Sequence, residues 1–337
     1  MTKTVKSPIN GYKVKTFDGG FRSKSMVSIN QFTKASQINK LFAVAKRMER
    51  IVKARKPNKI LNEVTIAELF YQPSTRTFTS FLAAARWLGC QRVIAIPGMT
   101  AYSSVVKGES LRDTIQSIEQ TTACDAIIIR HPENNSAYEA ANFASVPILN
   151  GGSGKLEHPT QAVLDLYTIY RKMGKMKGLK VGMLGDLKYG RTVKSLAKIL
   201  TVVDKNPNFY FISPKVLKMP REEIKLLKQR GAEVTETENL KKVLGDLDVL
   251  YVTRIQKEWF KTAAQQRLYK KLKGQYIISP KLLKKAKKKM IVMHPLPRVG
   301  EISYEVDEDS RAVYFEEMRM GLYTRMALLG LLTGKIK

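Results

Sequence analysis

Short β-rich runs alternate with helical patterns along most of the chain, and this alternation strongly limits the folds that it can adopt. The β-rich runs span residues 64–70, 92–96, 125–130, 180–184, 208–212, 248–253 and 290–293. Helical patterns lie between or after them, at residues 76–88, 111–122, 159–172 and about 316–332. Strands that alternate with helices indicate parallel sheets with helical crossovers. The sequence therefore predicts the α/β class, with two consecutive open parallel-sheet domains.

The limits of these domains follow from the length and from one loop. A chain of 337 residues favours about two domains. The glycine-rich loop 150–154 interrupts the alternation, which resumes at residue 180. We expect a first domain at 1–157 and a second at 158–315, with a C-terminal helical segment, 316–337, that packs back on the first domain.

Charge composition narrows the range of ligands without choosing among them. Lys and Arg number 59 and Asp and Glu 29, a formal charge of +30 that attracts nucleic acid, acidic membranes and small anions alike. The densest cationic run, 281–289, places Leu282, Leu283 and Ala286 at helical spacing, which predicts one short amphipathic helix with its lysines in solvent. No aromatic residue is interleaved to stack on bases, so a solvated helix face is favoured over a nucleic-acid site.

Several classes of protein are not expected from this sequence. A hydrophobic content of 44% argues against disorder, and no apolar stretch reaches the roughly 18 to 20 residues of a membrane span. Residues 1–6 lack the apolar segment of a secretory signal, so we expect a cytoplasmic protein. Cys90 and Cys124 are the only cysteines and form no Cys-x-x-Cys motif, so neither a disulfide framework nor a zinc site is expected.

The segment Pro73–Thr77 is the first candidate site. It lies where a strand gives way to a helix, and hydroxyls, backbone N–H groups and a guanidinium at a helix N-terminus form a phosphate cradle. Ser74 or Thr75 could instead only cap the helix. Arg76 favours phosphate binding, because a cap does not need a cation in the first helical turn, where the helix dipole disfavours one.

Each of the three histidines precedes a proline and lies at or beside a strand end: His131, His158 and His294. Proline confines the preceding residue to extended conformations, and open parallel sheets place ligands at these ends. Arg130 adds a cation beside the first histidine, and Gln161 an amide beside the second. These side chains could hold an anion and polarise a carbonyl group, although a structural role for each histidine stays open.

A third segment, Gly185–Thr192, resembles a phosphate loop except that Arg191 stands where lysine is required. A forked guanidinium suits a carboxylate better than a nucleotide phosphate. Arg254 and Gln256 follow another strand, and two arginines from neighbouring strand ends suggest a dicarboxylate ligand. The loop Ser103–Glu109 is a weaker signal, since Lys107 could simply lie in solvent.

Seven segments in this order resemble the aspartate carbamoyltransferase family, which has the ornithine enzymes as its sister group. The matching segments are Phe70–Thr77, Ser103–Glu109, Arg130–Pro132, His158–Gln161, Gly185–Thr192, Thr253–Glu258 and Met293–Val299 with Glu301 and Ile302. The ornithine enzymes typically have cysteines at the positions of Thr160 and Pro295.

The resemblance implies transfer of the carbamoyl group from carbamoyl phosphate to L-aspartate, the committed step of pyrimidine synthesis. It implies an active site in the cleft between the two domains, and neither a cofactor nor a metal. It also implies a homotrimer with shared active sites, while the sequence neither requires nor excludes regulatory chains. Neither a membrane nor nucleic acid is expected as a partner.

The resemblance also assigns the residues. The phosphate ligands are Ser74, Thr75, Arg76, Thr77 and Arg130. The carbamoyl group is bound by His158, Gln161 and Thr77, and the residues that reach the neighbouring subunit's site are Ser103 and Lys107. Aspartate is bound by Arg191, Arg254, Gln256, the backbone at Leu296 and Lys107. The catalytic residues are His158, Arg76, Thr77 and Lys107, which stabilise the developing oxyanion and hold the two anionic substrates.

Three positions depart from the family's usual pattern: Gln72 replaces an acidic residue, Ser153 an aspartate and Met320 an asparagine. They affect the expected interdomain ion pairs and no substrate ligand. Two other functions stay open. One is a polyanion- or nucleic-acid-binding protein that keeps the fold without activity, and the other is a carbamoyltransferase for another amine. Ornithine fits poorly, because Arg191, Arg254 and Lys107 would repel its side-chain cation.

Overall fold

The computed structural model describes residues 3–56 and 58–337, which fall into two compact units. Unit 1 contains the chain up to Tyr167 together with Arg319–Lys337, and unit 2 contains Thr168–Met318. Each unit carries its own parallel sheet with helical connections. The predicted class, two consecutive open parallel-sheet α/β domains, is confirmed.

Unit 1 is built on a four-stranded sheet whose strands are β3 (Thr65–Phe70), β4 (Arg92–Pro97), β5 (Ala126–His131) and β6 (Ile148–Ser153), in the spatial order β4-β3-β5-β6. A separate hairpin pairs β1 (Thr4–Lys6) with β2 (Lys13–Lys15). The helices are α1 (Ala35–Ala54), α2 (Thr75–Trp87), α3 (Met99–Tyr102), α4 (Leu111–Thr122), α5 (Ser136–Phe143), α6 (Pro159–Met173) and α12 (Tyr314–Leu332), the last two of which extend into unit 2.

The order of these strands locates a topological switch point. The chain runs from β3 outward to β4 and then returns to place β5 on the other side of β3. Connections therefore leave β3 and β5 in opposite directions, which opens a crevice at their carboxyl ends. β3 is buried along its whole length, so the position of this crevice is fixed by the core of unit 1.

Unit 2 contains a five-stranded parallel sheet in the order β11-β10-β7-β8-β9. Its strands are β7 (Lys180–Leu184), β8 (Asn208–Ile212), β9 (Glu233–Thr237), β10 (Val249–Val252) and β11 (Ile291–Met293). Its helices are α7 (Arg191–Val203), α8 (Arg221–Gln229), α9 (Leu240–Val243), α10 (Ala263–Leu272) and α11 (Pro280–Leu283). The switch point of this sheet lies between β7 and β10.

Six short 3₁₀ segments complete the elements that the structure describes. They are Ile29–Gln31, Ser104–Lys107, Lys215–Leu217, Leu244–Asp246, Lys257–Trp259 and Tyr304–Glu308. Within residues 3–56 and 58–337, no helix is long and apolar enough to cross a membrane.

Two local expectations were wrong. The glycine-rich segment 150–154 is not simply a loop, because residues up to Ser153 belong to β6 and pair with β5. The lysine run 281–289 contains only the last turn of α11, which ends at Leu283, and continues as turns. The lysines of this run are nevertheless exposed, while Leu283 is buried, so the expected division into a solvent side and a core side holds.

Candidate active site

The sequence-predicted site residues of each unit follow strands at its switch point. In unit 1, Ser74–Thr77 follows β3, and Arg130 lies near the end of β5. In unit 2, Arg191 begins the helix after β7, and Arg254 follows β10. Both sets therefore occupy the positions where open α/β sheets bind ligands.

The segment of unit 1 that is predicted to bind phosphate, Ser74–Thr77, lies at the beginning of α2. Ser74 is the N-cap residue with an extended backbone, yet its side chain makes no capping hydrogen bond. Thr77, in the first turn, is buried, whereas Thr75 and Arg76 are exposed. The lack of a capping hydrogen bond argues against capping as the role of Ser74. Its hydroxyl lies beside the positive end of the helix dipole, where an anion is stabilised.

Arg130 and Thr77 meet at Gly151 on β6. The guanidinium of Arg130 donates to the carbonyl oxygen of Gly151 at 2.9 Å. A Cβ atom at Gly151 would lie 3.2 Å from the carbonyl oxygen of Ile129 and 3.4 Å from the Thr77 methyl carbon. The carbonyl oxygen of Arg130 also accepts from the backbone N–H of Tyr71, at 2.8 Å. These contacts bring the ends of β3, β5 and β6 together beside the first turn of α2.

His158 and Gln161 lie at the start of α6, in unit 1. His158 is 5% exposed and Gln161 6%. The hydroxyl of Thr160 lies 3.5 Å from both Nδ1 of His158 and the carbonyl oxygen of Asn150. The preceding residue, Glu157, accepts hydrogen bonds from the Ser28 hydroxyl at 2.9 Å and from the Ile29 N–H at 2.8 Å. The N-terminal segment thus fixes the chain just before His158.

His131 differs from His158 in its surroundings. Burial lowers the pKa of His131 to about 4, so its ring is neutral at physiological pH. Its Nδ1 accepts from the N–H of Glu133 at 3.1 Å, and its ring packs on Tyr71 with centroids 4.3 Å apart. These contacts support the structural alternative for His131.

Ser103 and Lys107 lie on the segment that follows β4. The Ser103 hydroxyl donates to the Met99 carbonyl oxygen at 2.6 Å and accepts from the Val105 N–H at 3.3 Å. Lys107 ends a 3₁₀ turn and is exposed. Among the described residues, no hydrogen bond or ion pair joins either side chain to Ser74, Thr75 or Thr77. The hydrogen bonds of Ser103 thus stay within its own segment.

In unit 2, a carboxylate links the two predicted arginines. Glu258 forms a two-pronged ion pair with Arg254, with Nη1 and Oε2 2.9 Å apart. Burial opposes ionisation of Glu258, but the hydrogen bond from Arg254 and the charges of Arg254 and Arg191 lower its pKa. Burial lowers the pKa of Arg191 to about 10, with Glu258 acting against this shift, so Arg191 stays charged at neutral pH.

Asp186 connects the two loops that carry these arginines. Its carboxylate accepts from the N–H of Tyr189 at 2.9 Å and from that of Gln256 at 3.5 Å. Burial raises the pKa of Asp186, and these hydrogen bonds oppose the increase. Gln256 is thereby tied to the loop that precedes Arg191.

His294 shapes the turn that contains Leu296. Its Nδ1 accepts from the Leu296 N–H at 2.8 Å, and its Nε2 lies 2.7 Å from Oε1 of Glu301. The N–H of His294 donates to Glu317 at 3.0 Å. Leu296 has a φ of 50° and precedes a cis peptide bond to Pro297. The contacts of His294 support a structural role, namely holding the backbone at Leu296.

Sequence reasoning missed three acidic residues. Asp186 and Glu258 bond to Gln256 and Arg254, and Glu301 is a partner of His294. Glu258 lies four residues after Arg254, a spacing that could have signalled an ion pair. Across residues 3–56 and 58–337, no three His, Cys, Asp or Glu side chains gather as a metal site requires.

Comparison with known families identifies the chain. Residues 24–171 match the family model of the aspartate/ornithine carbamoyltransferase carbamoyl-P binding domain, and residues 177–332 match that of the Asp/Orn binding domain. The chain belongs to the aspartate/ornithine carbamoyltransferase family. The first of these domains contains the residues grouped in unit 1 around Gly151, and the second contains Arg191 and Arg254.

Individual members of this family are similar over nearly the whole chain. The aspartate carbamoyltransferase catalytic subunit of Thermococcus gammatolerans is 46% identical over 93% of this chain and 99% of its own length. Multifunctional protein pyr1-3 of Dictyostelium discoideum is 45% identical over 94% of this chain, which spans 14% of that protein. Trypanosoma cruzi aspartate transcarbamoylase in complex with carbamoyl phosphate and aspartate has a TM-score of 0.86 and 38% identity, covering 93% of this chain and 97% of that one.

Proposed function

We propose that this protein is an aspartate carbamoyltransferase, which converts carbamoyl phosphate and L-aspartate into N-carbamoyl-L-aspartate and phosphate. The family comprises enzymes for aspartate and for ornithine, so the acceptor has to be argued from unit 2. The observation that carries the proposal is that the Glu258 carboxylate interacts with both Arg254 and Arg191. Two guanidinium groups whose charges both act on one carboxylate suit an acidic amino acid and repel the side-chain cation of ornithine.

Unit 1 supplies the groups that carbamoyl phosphate needs. Ser74, Thr75, Arg76 and Thr77, at the N-terminus of α2, bind the phosphate together with Arg130. Neutralising the phosphate charge makes it a better leaving group, so no nucleophilic side chain is required. His158 lies at the start of α6, where it can donate a hydrogen bond to the carbonyl oxygen of the carbamoyl group.

The proposed reaction uses these residues in the following way. The uncharged α-amine of aspartate attacks the carbonyl carbon, a C–N bond forms, and the bond from that carbon to the phosphate oxygen breaks. Inorganic phosphate leaves with the bonding electron pair and takes up the proton that the amine loses. Negative charge that develops on the carbonyl oxygen is stabilised by His158, Arg76 and the hydroxyl of Thr77. Arg191, Arg254 and Gln256, with the backbone at Leu296, hold aspartate for this attack.

We also propose that the protein acts as a homotrimer in the cytoplasm, in pyrimidine synthesis. Ser103 and Lys107 would reach the active site of the neighbouring subunit. The exposure of this segment supports the assignment, since Tyr102 is 88% exposed and Val106 61%. Large apolar side chains that are exposed together are typical of protein–protein contacts.

An assay with a panel of amines tests the proposed reaction. With carbamoyl phosphate present, we expect aspartate to give carbamoyl aspartate and phosphate in equal amounts, and ornithine to give no product above the uncatalysed background. Product from ornithine alone, or from neither amine, would overturn the proposal. Salt-sensitive binding of generic DNA without product formation would instead favour a polyanion-binding protein, a function that leaves the ordered residues of both units unexplained.

A further inference from the structure

Three ionisable side chains lie buried in unit 1, and one of them is hydrogen-bonded to Gln161. They are Glu68 on β3, Asp165 on α6 and Arg325 on α12, with exposed fractions of 0%, 0% and 3%; we call them the buried cluster. Moving such groups out of water is costly, and apolar side chains at the same places often stabilise a fold at least as well. Fold stability alone therefore does not account for the buried cluster, and the proposed reaction has not so far used it.

Asp165 is bonded directly to a proposed ligand-binding side chain. Nε2 of Gln161 donates to Oδ1 of Asp165 at 2.8 Å. The two residues are four apart on α6, so they lie on the same face of the helix. An ionised carboxylate accepts hydrogen bonds and donates none, so only the NH₂ end of the amide can face it. The carbonyl oxygen Oε1 of Gln161 is consequently turned away from Asp165.

Arg325 places a positive charge near the two buried carboxyl groups. Both Asp165 and Glu68 act electrostatically on the buried guanidinium of Arg325, which also lies over the ring of Phe81 with 5.1 Å from Cζ to the ring centroid. A Cβ atom at Gly321 would lie 2.5 Å from Nη1 of Arg325. The lack of a side chain at Gly321 therefore gives the guanidinium room beside α12.

Glu68 does not compete with Asp165 for this charge at neutral pH. Burial raises the pKa of Glu68 to about 8, although the charge of Arg325 acts to lower it. Its neighbours across the sheet, Ala95 on β4 and Ile128 on β5, carry no charge. Glu68 therefore keeps its proton at neutral pH.

We infer that Asp165 is a positioning residue that fixes the amide of Gln161 with Oε1 toward the NH₂ group of carbamoyl phosphate. The inference rests on the proposed function, because it takes carbamoyl phosphate as the ligand. An amide oxygen has two lone pairs, so Oε1 can accept from the ligand amine in addition to its other contacts. Were the amide reversed, two NH₂ groups would face each other.

Asp165→Asn tests the inference, because an asparagine can either donate or accept and so lets the Gln161 amide turn. We expect the dissociation constant of carbamoyl phosphate to rise about tenfold, roughly the contribution of one hydrogen bond. Binding of inorganic phosphate should not change, because its ligands lie at Ser74–Thr77 and Arg130. Asp113→Asn, the same substitution on an exposed face of α4, is the matched control and should leave both constants unchanged.

A double-mutant cycle separates positioning from a general loosening of the fold. If Asp165 acts through Gln161, Asp165→Asn should weaken carbamoyl phosphate binding no further in a Gln161→Ala background. Additive losses, or equal losses for carbamoyl phosphate and phosphate, would overturn the inference. These are binding measurements, so they stand apart from the proposed function, which fails if the natural protein makes no carbamoyl aspartate.

A measurement on the natural sequence covers the case in which Asp165→Asn does not fold. The side-chain amide of Gln161 can be followed by ¹⁵N NMR and assigned by its absence in Gln161→Ala. Saturating carbamoyl phosphate should leave the Nε2 hydrogen that is bonded to Asp165 as protected from exchange as before. Loss of that protection on ligand binding would show that Nε2 turns to the ligand, and the inference would be wrong.

Discussion

The guanidinium of Arg254 is held by the carboxylate of Glu258, four residues further along the chain, with Nη1 and Oε2 2.9 Å apart. This pairing fixes the plane of the guanidinium beside Arg191, whose charge also acts on Glu258. A guanidinium has five N–H donors, so Arg254 keeps donors for a substrate carboxylate while it pairs with Glu258. The fork geometry of Arg254, rather than its charge alone, is thus expected to determine aspartate binding.

Arg254→Lys should therefore weaken the use of aspartate far more than the binding of carbamoyl phosphate. Lysine keeps the positive charge but cannot form the two-pronged contact, which we expect to raise the KM for aspartate at least tenfold. Steady-state kinetics with each substrate varied in turn measures the two effects. Arg311→Lys is the matched control, since Arg311 forms a similar forked pair with Asp309 in unit 2. Equal damage to both substrates would remove Arg254 from the aspartate site.

Local sequence patterns were enough to predict most of the two sheets. The run 180–184 coincides with β7, and 208–212 with β8, because central parallel strands read as short apolar runs. The strand in 150–154 escaped prediction since its glycines lack β propensity, and only its pairing with β5 makes it a strand. The domain limits 1–157 and 158–315 stay predictions.

Residue type and position at strand ends indicated some of the predicted site residues, and the family resemblance supplied the others. The supporting contacts of these residues could be predicted from neither. The charge of Asp165 acts on Arg325 although 160 positions separate them in the sequence. No local pattern encodes such a pairing, because it depends on how α12 returns to unit 1. Ser153, which departs from the family's usual pattern, likewise has a contact that the sequence did not predict. Its hydroxyl donates to Oδ1 of Asn150 at 3.0 Å.

His158→Ala should lower the turnover number while leaving phosphate binding intact. The proposed role of His158 is to stabilise charge on the carbonyl oxygen, and loss of such a donor typically costs about a hundredfold or more in turnover. His158→Gln keeps a hydrogen-bond donor and should retain more activity than the alanine variant. Initial rates at saturating substrates, with phosphate affinity measured separately, check both variants. A near-normal turnover number in His158→Ala would show that the histidine is structural.

Glu68→Gln should stabilise the protein in a pH-dependent way. The pKa of Glu68 is raised from 4.5 to about 8 in the folded state by burial. At a pH between these two pKa values, the unfolded chain loses the Glu68 proton that the folded chain keeps. Stability therefore falls as pH rises. The loss of unfolding free energy approaches roughly 4 to 5 kcal/mol near pH 8 and is absent in the glutamine variant. Urea unfolding of both proteins at pH 5 and pH 8 measures it, and a difference that does not grow with pH would contradict the raised pKa.

The shared active site leads to a test by subunit mixing. If Lys107 serves the neighbour's site, Lys107→Ala and His158→Ala damage opposite sides of each subunit boundary, and each protein alone should be nearly inactive. Random exchange at equal amounts in a closed trimer gives about three quarters mixed trimers, each with one intact site in three.

The mixture should then recover about one quarter of natural activity, provided that the sites act independently. A site built from one chain would recover nothing, because every site would still lack one residue. Subunit exchange can be verified by mass spectrometry of tagged chains. If exchange has occurred and activity does not recover, the shared site is refuted, and the single-chain assignments are unaffected.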